Sequence, residues 1–186
     1  MTIRIIGGEL KGRKLVTVPG IETRPTADRV RESIFNILGD TVRGAHVLDL
    51  YAGTGAMGIE ALSRGAQRVW FAEVHKAALA ALEKNIKTCS LKDKARTVKW
   101  NILDNLNILH SHKPGFNLVF MDPPYHKDMI QPTLSNLAIS GCLTKSARLV
   151  LEHSPLEPIP ENWPEFNIVD QRRYGKTLVS FLRYML

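Results

Sequence analysis

The spacing of apolar residues changes twice near the amino terminus. Apolar and polar positions alternate from residue 3 to 18 among glycines and basic side chains, which predicts a short β-hairpin. Prolines and a glycine then interrupt the pattern. From Thr26 to Leu38 the apolar residues return at the spacing of one helix face, and Thr26 can cap that helix. We therefore expect a hairpin and a helix ahead of the main body of the chain.

From His46 onward, short apolar runs alternate with amphipathic segments. The predicted strands are 47–51, 69–72, 96–99, 117–121 and 148–151, the predicted helices are 56–64, 75–88 and 128–139, and a last hairpin spans 166–184. Repeated β-α-β units build a largely parallel sheet with helices on both faces. We expect an α/β fold with an antiparallel hairpin at one edge, divided into a basic extension (1–22) and one domain (23–186).

The composition indicates a globular chain with excess positive charge. The 186 residues are 44% hydrophobic and 23% charged, which excludes a mainly disordered or fibrous protein. The net charge of +7 suits a polyanionic partner. We see no membrane-spanning run, no signal peptide and no zinc pattern among the histidines. Cys89 and Cys142 form no CxxC pair, so we expect two unpaired thiols in a reducing, cytoplasmic protein.

A glycine-rich loop at residues 53–58 lies between a predicted strand and a predicted helix and matches G-x-G-x-x-G. Glu73 follows about 20 residues later, where a carboxylate can hold ribose hydroxyls. This context predicts an adenosine-type cofactor. NAD fits the loop itself, but Asp49 lies just ahead of the glycines and would repel a pyrophosphate. A carboxylate at that place suits the cationic S-adenosylmethionine, although it could also simply cap the loop amides.

A second motif, Asp122-Pro123-Pro124-Tyr125, follows the predicted strand 117–121. The carboxyl ends of parallel strands face one crevice, so this motif should lie beside the glycine loop. The exocyclic amine of a base is a poor nucleophile because its lone pair is delocalised into the ring. The Asp122 carboxylate and the Pro123 carbonyl can accept its two N–H groups, and Tyr125 can stack on the base. The motif therefore predicts methyl transfer to an amine by alignment and fixed dipoles, without a metal.

The two motifs resemble those of the S-adenosylmethionine-dependent amino-group methyltransferases. The amino-terminal part narrows this resemblance to the bacterial RsmD family, through Ile3-Arg4-Ile5-Ile6-Gly7-Gly8, Lys11-Gly12-Arg13 and the segment from Arg24-Pro25-Thr26 to Leu38. That family methylates N2 of a guanine in 16S ribosomal RNA. The resemblance spans nearly the whole chain, and it implies the class I methyltransferase fold, which is Rossmann-like with a seven-stranded sheet.

The resemblance also implies roles for residues of this chain. Asp122, Pro123 and Tyr125 would be the catalytic residues. The cofactor-binding residues would be Asp49, Tyr51, Ala52, Gly53, Gly55, Glu73, Val74, Asn101 and Ile102. Within that set Glu73 would hold the ribose, and Asn101 suits the adenine amino group, although it could also be an ordinary turn residue.

Positive charge is concentrated in the first 31 residues, where seven basic side chains face three acidic ones. The basic residues are the candidates for RNA contact: Arg4, Lys11, Arg13, Lys14, Arg24, Arg29 and Arg31. A glycine-rich basic hairpin suits contact with phosphates. With no room for a large recognition domain, we expect the protein to read the folded shape of 16S rRNA in the small subunit or an assembly intermediate, and to need an unpaired or flipped base.

Three other functions stay open at this point. Adenine-N6 methylation of RNA or DNA is compatible with Asp122-Pro123-Pro124-Tyr125, although the amino-terminal motifs disfavour it. An NAD-dependent oxidoreductase would need a hydride-handling site, for which we find no residue set. An RNA-binding module without catalysis would gain nothing from an intact catalytic motif. We expect a monomer without an obligate protein partner.

Overall fold

The predicted strands and helices assemble into one main sheet flanked by helices. The computed structural model describes residues 3–18, 25–104, 106–110, 113–160 and 163–186, and the side chains within these ranges except those of 25–27. In chain order the elements are β1 (Ile3–Arg4), β2 (Lys14–Leu15), α1 (Pro25–Leu38), β3 (His46–Leu50), α2 (Ala56–Ser63), β4 (Arg68–Glu73), α3 (Lys76–Thr88), β5 (Ala95–Lys99), β6 (Phe116–Met121), α4 (Ile130–Ile139), β7 (Leu143–His153), β8 (Phe166–Tyr174) and β9 (Thr177–Tyr184). Short 3-10 helices lie at Gly39–Val42 and Asn107–Leu109.

The seven main strands pair in the order β5-β4-β3-β6-β7-β9-β8. Strands β5, β4, β3, β6 and β7 run parallel, and β9 is antiparallel to both β7 and β8. Among the parallel strands, β3 lies at the centre and comes first in the chain. The next strands, β4 and β5, extend the sheet to one side, and β6 then pairs with the other side of β3. The expected sheet and its antiparallel carboxyl-terminal hairpin are therefore confirmed.

Two apolar layers cover the sheet because successive strand residues point to opposite faces. On one face Val47, Phe71 and Phe120 pack with residues of α1, α2 and α3. On the other face Leu48 and Val119 pack with residues of α4 and the loops. Burying each large apolar side chain contributes about 1.5 to 3 kcal/mol to stability. The layers hold the strand ends rigidly, which is what positions the site.

The amino-terminal hairpin β1–β2 is short, and it is held by side chains of α2 and α3. The backbone amides of Ile6 and Gly7 donate to the Glu60 carboxylate at 2.7 and 2.8 Å. Asn85 accepts from the Val16 amide at 2.7 Å and donates to the Val16 carbonyl at 3.0 Å. Two helices thus fix the hairpin over one face of the sheet, next to the crevice described below.

The structure departs from the sequence expectations mainly in β7. This strand begins at Leu143, not at 148, because a bulge interrupts its pairing with β6: Phe116 pairs with Leu143, while Leu118 already pairs with Arg148. A polar bulge has no alternating apolar pattern, so the sequence signal starts only after it. The two cysteines are free, as predicted, and both are buried. In the described parts of the chain, no helix is long and apolar enough to cross a membrane.

Candidate active site

A cavity of about 210 Å³ opens where the strand order reverses between β3 and β6. Such a reversal leaves a crevice beyond the carboxyl ends of the strands, where ligands bind in open α/β sheets. The walls come from strand ends, the loop after β3, α1 and the hairpin extension, and they include Asp49, Tyr51, Ala52, Gly53, Asp122, Glu152, Arg31, Ile3, Thr17 and Val18. The glycine loop and the Asp122 motif, which the sequence predicted separately, therefore share one crevice.

Four carboxylates lie near the carboxyl ends of the parallel strands, and their side chains are on the same face of the sheet. Each lies two residues after a buried apolar residue of that face, in the pairs Val47–Asp49, Phe71–Glu73, Phe120–Asp122 and Val150–Glu152. Side chains two apart in a strand share a face, so the core pattern itself aims these acids at the end of the sheet. The crevice is consequently rich in acceptors and favours ligands that carry positive charge or N–H donors.

The glycines of the loop serve different purposes. Gly55 and Gly58 lie against the core, where an added Cβ would come within 2.3 Å of Leu82 and of Phe71 respectively. Gly53 lines the cavity, and an added Cβ there would meet only the Tyr51 carbonyl, at 3.9 Å. Gly53 also has φ +56°, a left-handed conformation that glycine adopts without strain. The loop therefore presents bare backbone to a ligand at Gly53.

Asp49 is a buried acid at the end of β3, with 3% of its surface exposed. Its carboxylate accepts a hydrogen bond from the Gly58 amide at 2.9 Å. Desolvation by burial raises its pKa to about 8, the Gly58 amide opposes this rise, and the charge of Glu73 adds to it. An acid in this state is stabilised by a cation that enters the cavity, because the cation favours the ionised form.

Glu73 closes the end of β4 and organises the neighbouring loops. Its carboxylate accepts hydrogen bonds from the amides of Gly53 at 2.8 Å, Val74 at 2.7 Å and His75 at 2.7 Å. The Val74 side chain next to it is 46% exposed. This geometry links the loop after β3 to the loop after β4, and it places an exposed apolar surface beside both.

Asn101 and Ile102 follow β5, two strands away from β3. Asn101 donates to the Asp104 carboxylate at 2.8 Å and accepts from the Leu103 amide at 3.3 Å, so its side chain organises a turn here. Ile102 is buried. Of the nine residues predicted for the cofactor, five are not among those that line the 210 Å³ cavity: Gly55, Glu73, Val74, Asn101 and Ile102.

The Asp122 motif leaves β6 at the cavity. Asp122 lines the cavity, Pro123 is buried, and Tyr125 is half-buried. The Tyr125 hydroxyl lies 3.1 Å from the Thr177 hydroxyl and donates to the Glu152 carboxylate at 3.4 Å. Burial raises the pKa of Tyr125 to about 12. Contacts to β7 and β9 therefore fix the direction of the tyrosine ring.

Asp122 lines the cavity and is exposed to its opening. Desolvation raises its pKa well above the ordinary value, and the charges of Glu152 and Asp49 raise it further. Burial also raises the pKa of Glu152. Because the crevice is open, we attribute much of the rise at Asp122 to the neighbouring charges, since like charges resist simultaneous ionisation. Among the described residues, no cluster of His, Cys, Asp and Glu is placed to hold a metal ion.

Glu152 is a cavity residue that the sequence reasoning missed. It directly follows the predicted strand 148–151, so an acid at a strand end was the available signal. Glu157 was also missed, and it fixes the loop after the Asp122 motif. Its carboxylate accepts from the amides of His126 at 2.7 Å and Asp128 at 3.3 Å. Sequence spacing does not reveal these contacts of Glu157, which join residues about 30 positions apart in the chain.

Five of the basic residues predicted to contact RNA are exposed: Arg4, Lys11, Arg13, Lys14 and Arg29. Arg13 donates to the Thr88 carbonyl at 2.5 Å, which brings the hairpin next to the end of α3. There Lys84 and Lys87, which the sequence analysis did not single out, line an open groove. The hairpin and this end of α3 therefore form one basic surface. Arg24 lies outside the described residues.

Arg31 does not fit the expectation of a surface contact. It is 5% exposed and lines the cavity. It donates to the Arg4 carbonyl at 2.6 Å and to Asp28 at 3.1 Å, and its Nε lies 3.7 Å from the Glu60 carboxylate. The half-buried Asp28 and the buried Glu60 neutralise the guanidinium, so it joins helix α1 to the hairpin and is not presented to a phosphate.

Comparison with known proteins identifies the family. The family model described as conserved hypothetical protein 95 matches residues 3–183. Proteins named ribosomal RNA small subunit methyltransferase D, from Haemophilus influenzae and Escherichia coli, are each 38% identical and cover 87% of this chain and 84% and 81% of their own. The solved structure of yhhF from Escherichia coli is 33% identical, with a TM-score of 0.86 over 100% of this chain and 99% of that one. The chain therefore belongs to the conserved hypothetical protein 95 family, which is the RsmD family that its motifs resemble.

Proposed function

We propose that this protein uses S-adenosylmethionine to methylate the exocyclic N2 amine of a guanine in 16S ribosomal RNA. The observation that carries the proposal is that Asp49 and Asp122, from neighbouring strands, line one cavity together with bare backbone at Gly53. The names of the relatives from Haemophilus influenzae and Escherichia coli support ribosomal RNA as the substrate class.

The residues of the cavity fit the proposed cofactor. S-adenosylmethionine, when bound, supplies a methyl group on a positively charged sulfur. Asp49 is a buried carboxylate with a raised pKa, and a cationic ligand offsets the cost of its ionisation. Gly53 leaves room for a ligand against the backbone. Glu73, at the next strand end, would hold ribose hydroxyls, and Val74 beside it would pack against an adenine ring.

The residues of the catalytic motif would act on the amine. The Asp122 carboxylate and the Pro123 carbonyl accept its two N–H groups, which returns the nitrogen lone pair from the ring to the reacting face. The nitrogen carries an extra proton once it has bonded to the methyl carbon, and Asp122 can take it because its pKa is raised. Tyr125 stacks on the base, with its ring direction set by Thr177 and Glu152.

The exposed basic surface of the hairpin would hold the RNA. Lys11, Arg13 and Lys14 offer charge on a glycine-containing hairpin, and Lys84 and Lys87 extend this surface along α3. Such contacts position a folded RNA without reading its bases. The target base then enters the crevice from an unpaired or flipped-out position, because a paired amine could not reach Asp122. We place the extension at residues 1–22 and the methyltransferase domain at 23–186.

The test uses S-adenosylmethionine with a labelled methyl group. Small ribosomal subunits from a strain that lacks this gene are incubated with the protein, and the RNA is digested to nucleosides. We expect the label in N2-methylguanosine. Label in N6-methyladenosine would show that the target base is adenine and not guanine. The absence of label in subunits, free RNA and DNA would overturn the proposal.

A further inference from the structure

Glu152 is placed beside Asp122 by strand pairing. Met121 of β6 pairs with Leu151 of β7, so the residues that follow them, Asp122 and Glu152, occupy equivalent positions at the ends of adjacent strands. The two acids also share a sheet face, and both line the cavity. The structure therefore presents two carboxylates side by side to whatever occupies the crevice.

Glu152 differs from the structural acids of this chain in its contacts. Glu60 accepts from two backbone amides and Arg64, and Glu73 accepts from three backbone amides. Among the residues that the structure describes, the Glu152 carboxylate accepts one long hydrogen bond, of 3.4 Å, from the Tyr125 hydroxyl. A half-buried carboxylate in a cavity with one weak donor retains most of its capacity to accept. This capacity is directed toward the ligand.

We propose that Glu152 determines base specificity by accepting the ring N1–H of guanine while Asp122 accepts the N2 amine. This inference rests on the proposed function. Guanine carries N1–H and N2–H₂ as adjacent donors, which matches two adjacent carboxylates. Adenine carries an amine next to N1, which is an acceptor, so a carboxylate at that place would face a lone pair. The pair Asp122–Glu152 thus accepts guanine and rejects adenine in the same crevice.

The charges around the pair fit this assignment. Asp49, Asp122 and Glu152 line one cavity, and the hydroxyl of Tyr125 is the donor that faces Glu152. The repulsion between neighbouring carboxylates decreases when hydrogen-bond donors lie between them. The guanine edge supplies such donors to both acids at once. The tyrosine contact also restricts the Glu152 side chain, so that its free oxygen faces the base.

The experiment compares guanine with 2,6-diaminopurine, which keeps the N2 amine but has an acceptor at N1. RNA with either base at the target position is made by splinted ligation and assembled into the particle that is methylated in the previous experiment. The kcat/KM ratio between the two bases is measured for the wild type, for Glu152→Gln and for the exposed control Glu32→Gln. We expect the wild type and the control to favour guanine about tenfold or more. Glu152→Gln should narrow this ratio at least about tenfold, because its amide can donate to the N1 acceptor of 2,6-diaminopurine.

Two further measurements keep the outcomes separate. Cofactor affinity, measured by calorimetry, and the melting temperature show whether Glu152→Gln is folded. The second variant, Glu152→Ala, removes the acceptor and the donor together. It should also narrow the kcat/KM ratio between guanine and 2,6-diaminopurine. If the wild type labels guanine N2 and both variants keep its ratio while losing rate on both bases, Glu152 only positions Tyr125 and the inference is overturned. If the wild type labels no guanine in any substrate, the proposed function fails and this inference fails with it.

Discussion

The Asp49 carboxylate accepts a 2.9 Å hydrogen bond from the Gly58 amide and thereby joins the end of β3 to the first turn of α2. One amide compensates only part of the cost of burying this acid, since burial still raises its pKa to about 8. The folded protein thus contains an acid whose ionised form is destabilised by burial. Such a cost is typical of binding sites, where stability is lost to prepare for a ligand.

Asp49→Asn should stabilise the cofactor-free protein, and more so as the pH rises. The carboxyl group has an ordinary pKa of 3.8 in the unfolded chain and about 8 in the folded protein. Between these values the folded state keeps a proton that the unfolded state has released, so wild-type stability falls as the pH rises. Asparagine does not ionise and can still accept from Gly58. Thermal melts should show little difference near pH 4 and a higher Tm for the variant near pH 8, at about 2 to 4 °C per kcal/mol.

The exposed Asp40→Asn serves as the control for Asp49→Asn and should change Tm little at either pH. A stabilisation by Asp49→Asn that is the same at both pH values would contradict the raised pKa. The variant should also bind S-adenosylmethionine more weakly, because it removes the carboxylate that faces the cation.

Asp122→Ala should strongly lower the rate of methyl transfer and leave cofactor binding nearly unchanged. The carboxylate acts on the amine, and losing one such polar group in a preorganised site costs about 10² to 10³ in kcat. Single-turnover transfer and calorimetry with S-adenosylmethionine measure the two effects separately. Asp93→Ala, which removes an exposed acid, is the matched control. Near-normal turnover by Asp122→Ala would show that this residue is not the acceptor.

The sequence predicts the position of the Asp122-Pro123-Pro124-Tyr125 motif because strand ends are local features. Apolar residues from 118 to 121 define β6, and the parallel sheet then brings Asp122 to the same edge as Asp49. The alternation Val150–Glu152 carries the same kind of information. It would have placed Glu152 in the crevice if the face of β7 had been considered together with that of β6.

The environment of Arg31 could not be predicted in this way. Its burial depends on the Arg4 carbonyl and on the Glu60 carboxylate, which lie 27 and 29 residues away in the chain. A basic residue in a basic segment is usually solvated, and only the docking of the hairpin on α2 changes this. The bulge in β7 is a similar case, because it is a shift in the pairing of β7 with β6 between Phe116 and Leu118, and no local pattern in β7 reveals it.

Glu60→Gln should loosen the hairpin. The buried carboxylate accepts hydrogen bonds from the amides of Ile6 and Gly7 and from Arg64. The NH₂ group of a glutamine would face one of these N–H groups, and that hydrogen bond would be lost. We expect a loss of about 1 to 3 kcal/mol in the stability of this contact. Hydrogen exchange of the Ile6 and Gly7 amides should accelerate by about tenfold for each 1.4 kcal/mol lost. Unchanged exchange would show that the carboxylate does not hold the hairpin.

The exposed Glu32→Gln on α1 changes the same charge without these contacts and should leave exchange at Ile6 and Gly7 unchanged. Because the hairpin also lines the cavity, Glu60→Gln should weaken cofactor binding as well. A variant that loosens the hairpin but keeps full cofactor affinity would show that this wall of the cavity does not contact the cofactor.

The rate of methyl transfer should rise with pH, and this rise should lie at higher pH than the ordinary pKa of an aspartate, 3.8. Burial and the charges of Glu152 and Asp49 raise the pKa of Asp122, so this acceptor is protonated at low pH and becomes available as the pH increases. Glu152→Gln removes one of these charges, and the rising limb of its kcat/KM profile should move to lower pH. The profile reports the coupled pair of carboxylates. An unmoved limb would show that the two carboxylates do not interact.

Removal of charge from the hairpin should weaken RNA binding and its dependence on salt. Lys11, Arg13 and Lys14 are exposed, and each phosphate contact that is lost lowers the slope of log K against log salt by about 0.7 to 0.9. The triple alanine variant should therefore bind more weakly at low salt and converge with the wild type at high salt. The control replaces three exposed basic residues of β7 and β9, at positions 145, 148 and 183, and keeps the same net charge as the hairpin variant. Equal losses in the two variants would indicate a general charge effect and would move the RNA contact away from the hairpin.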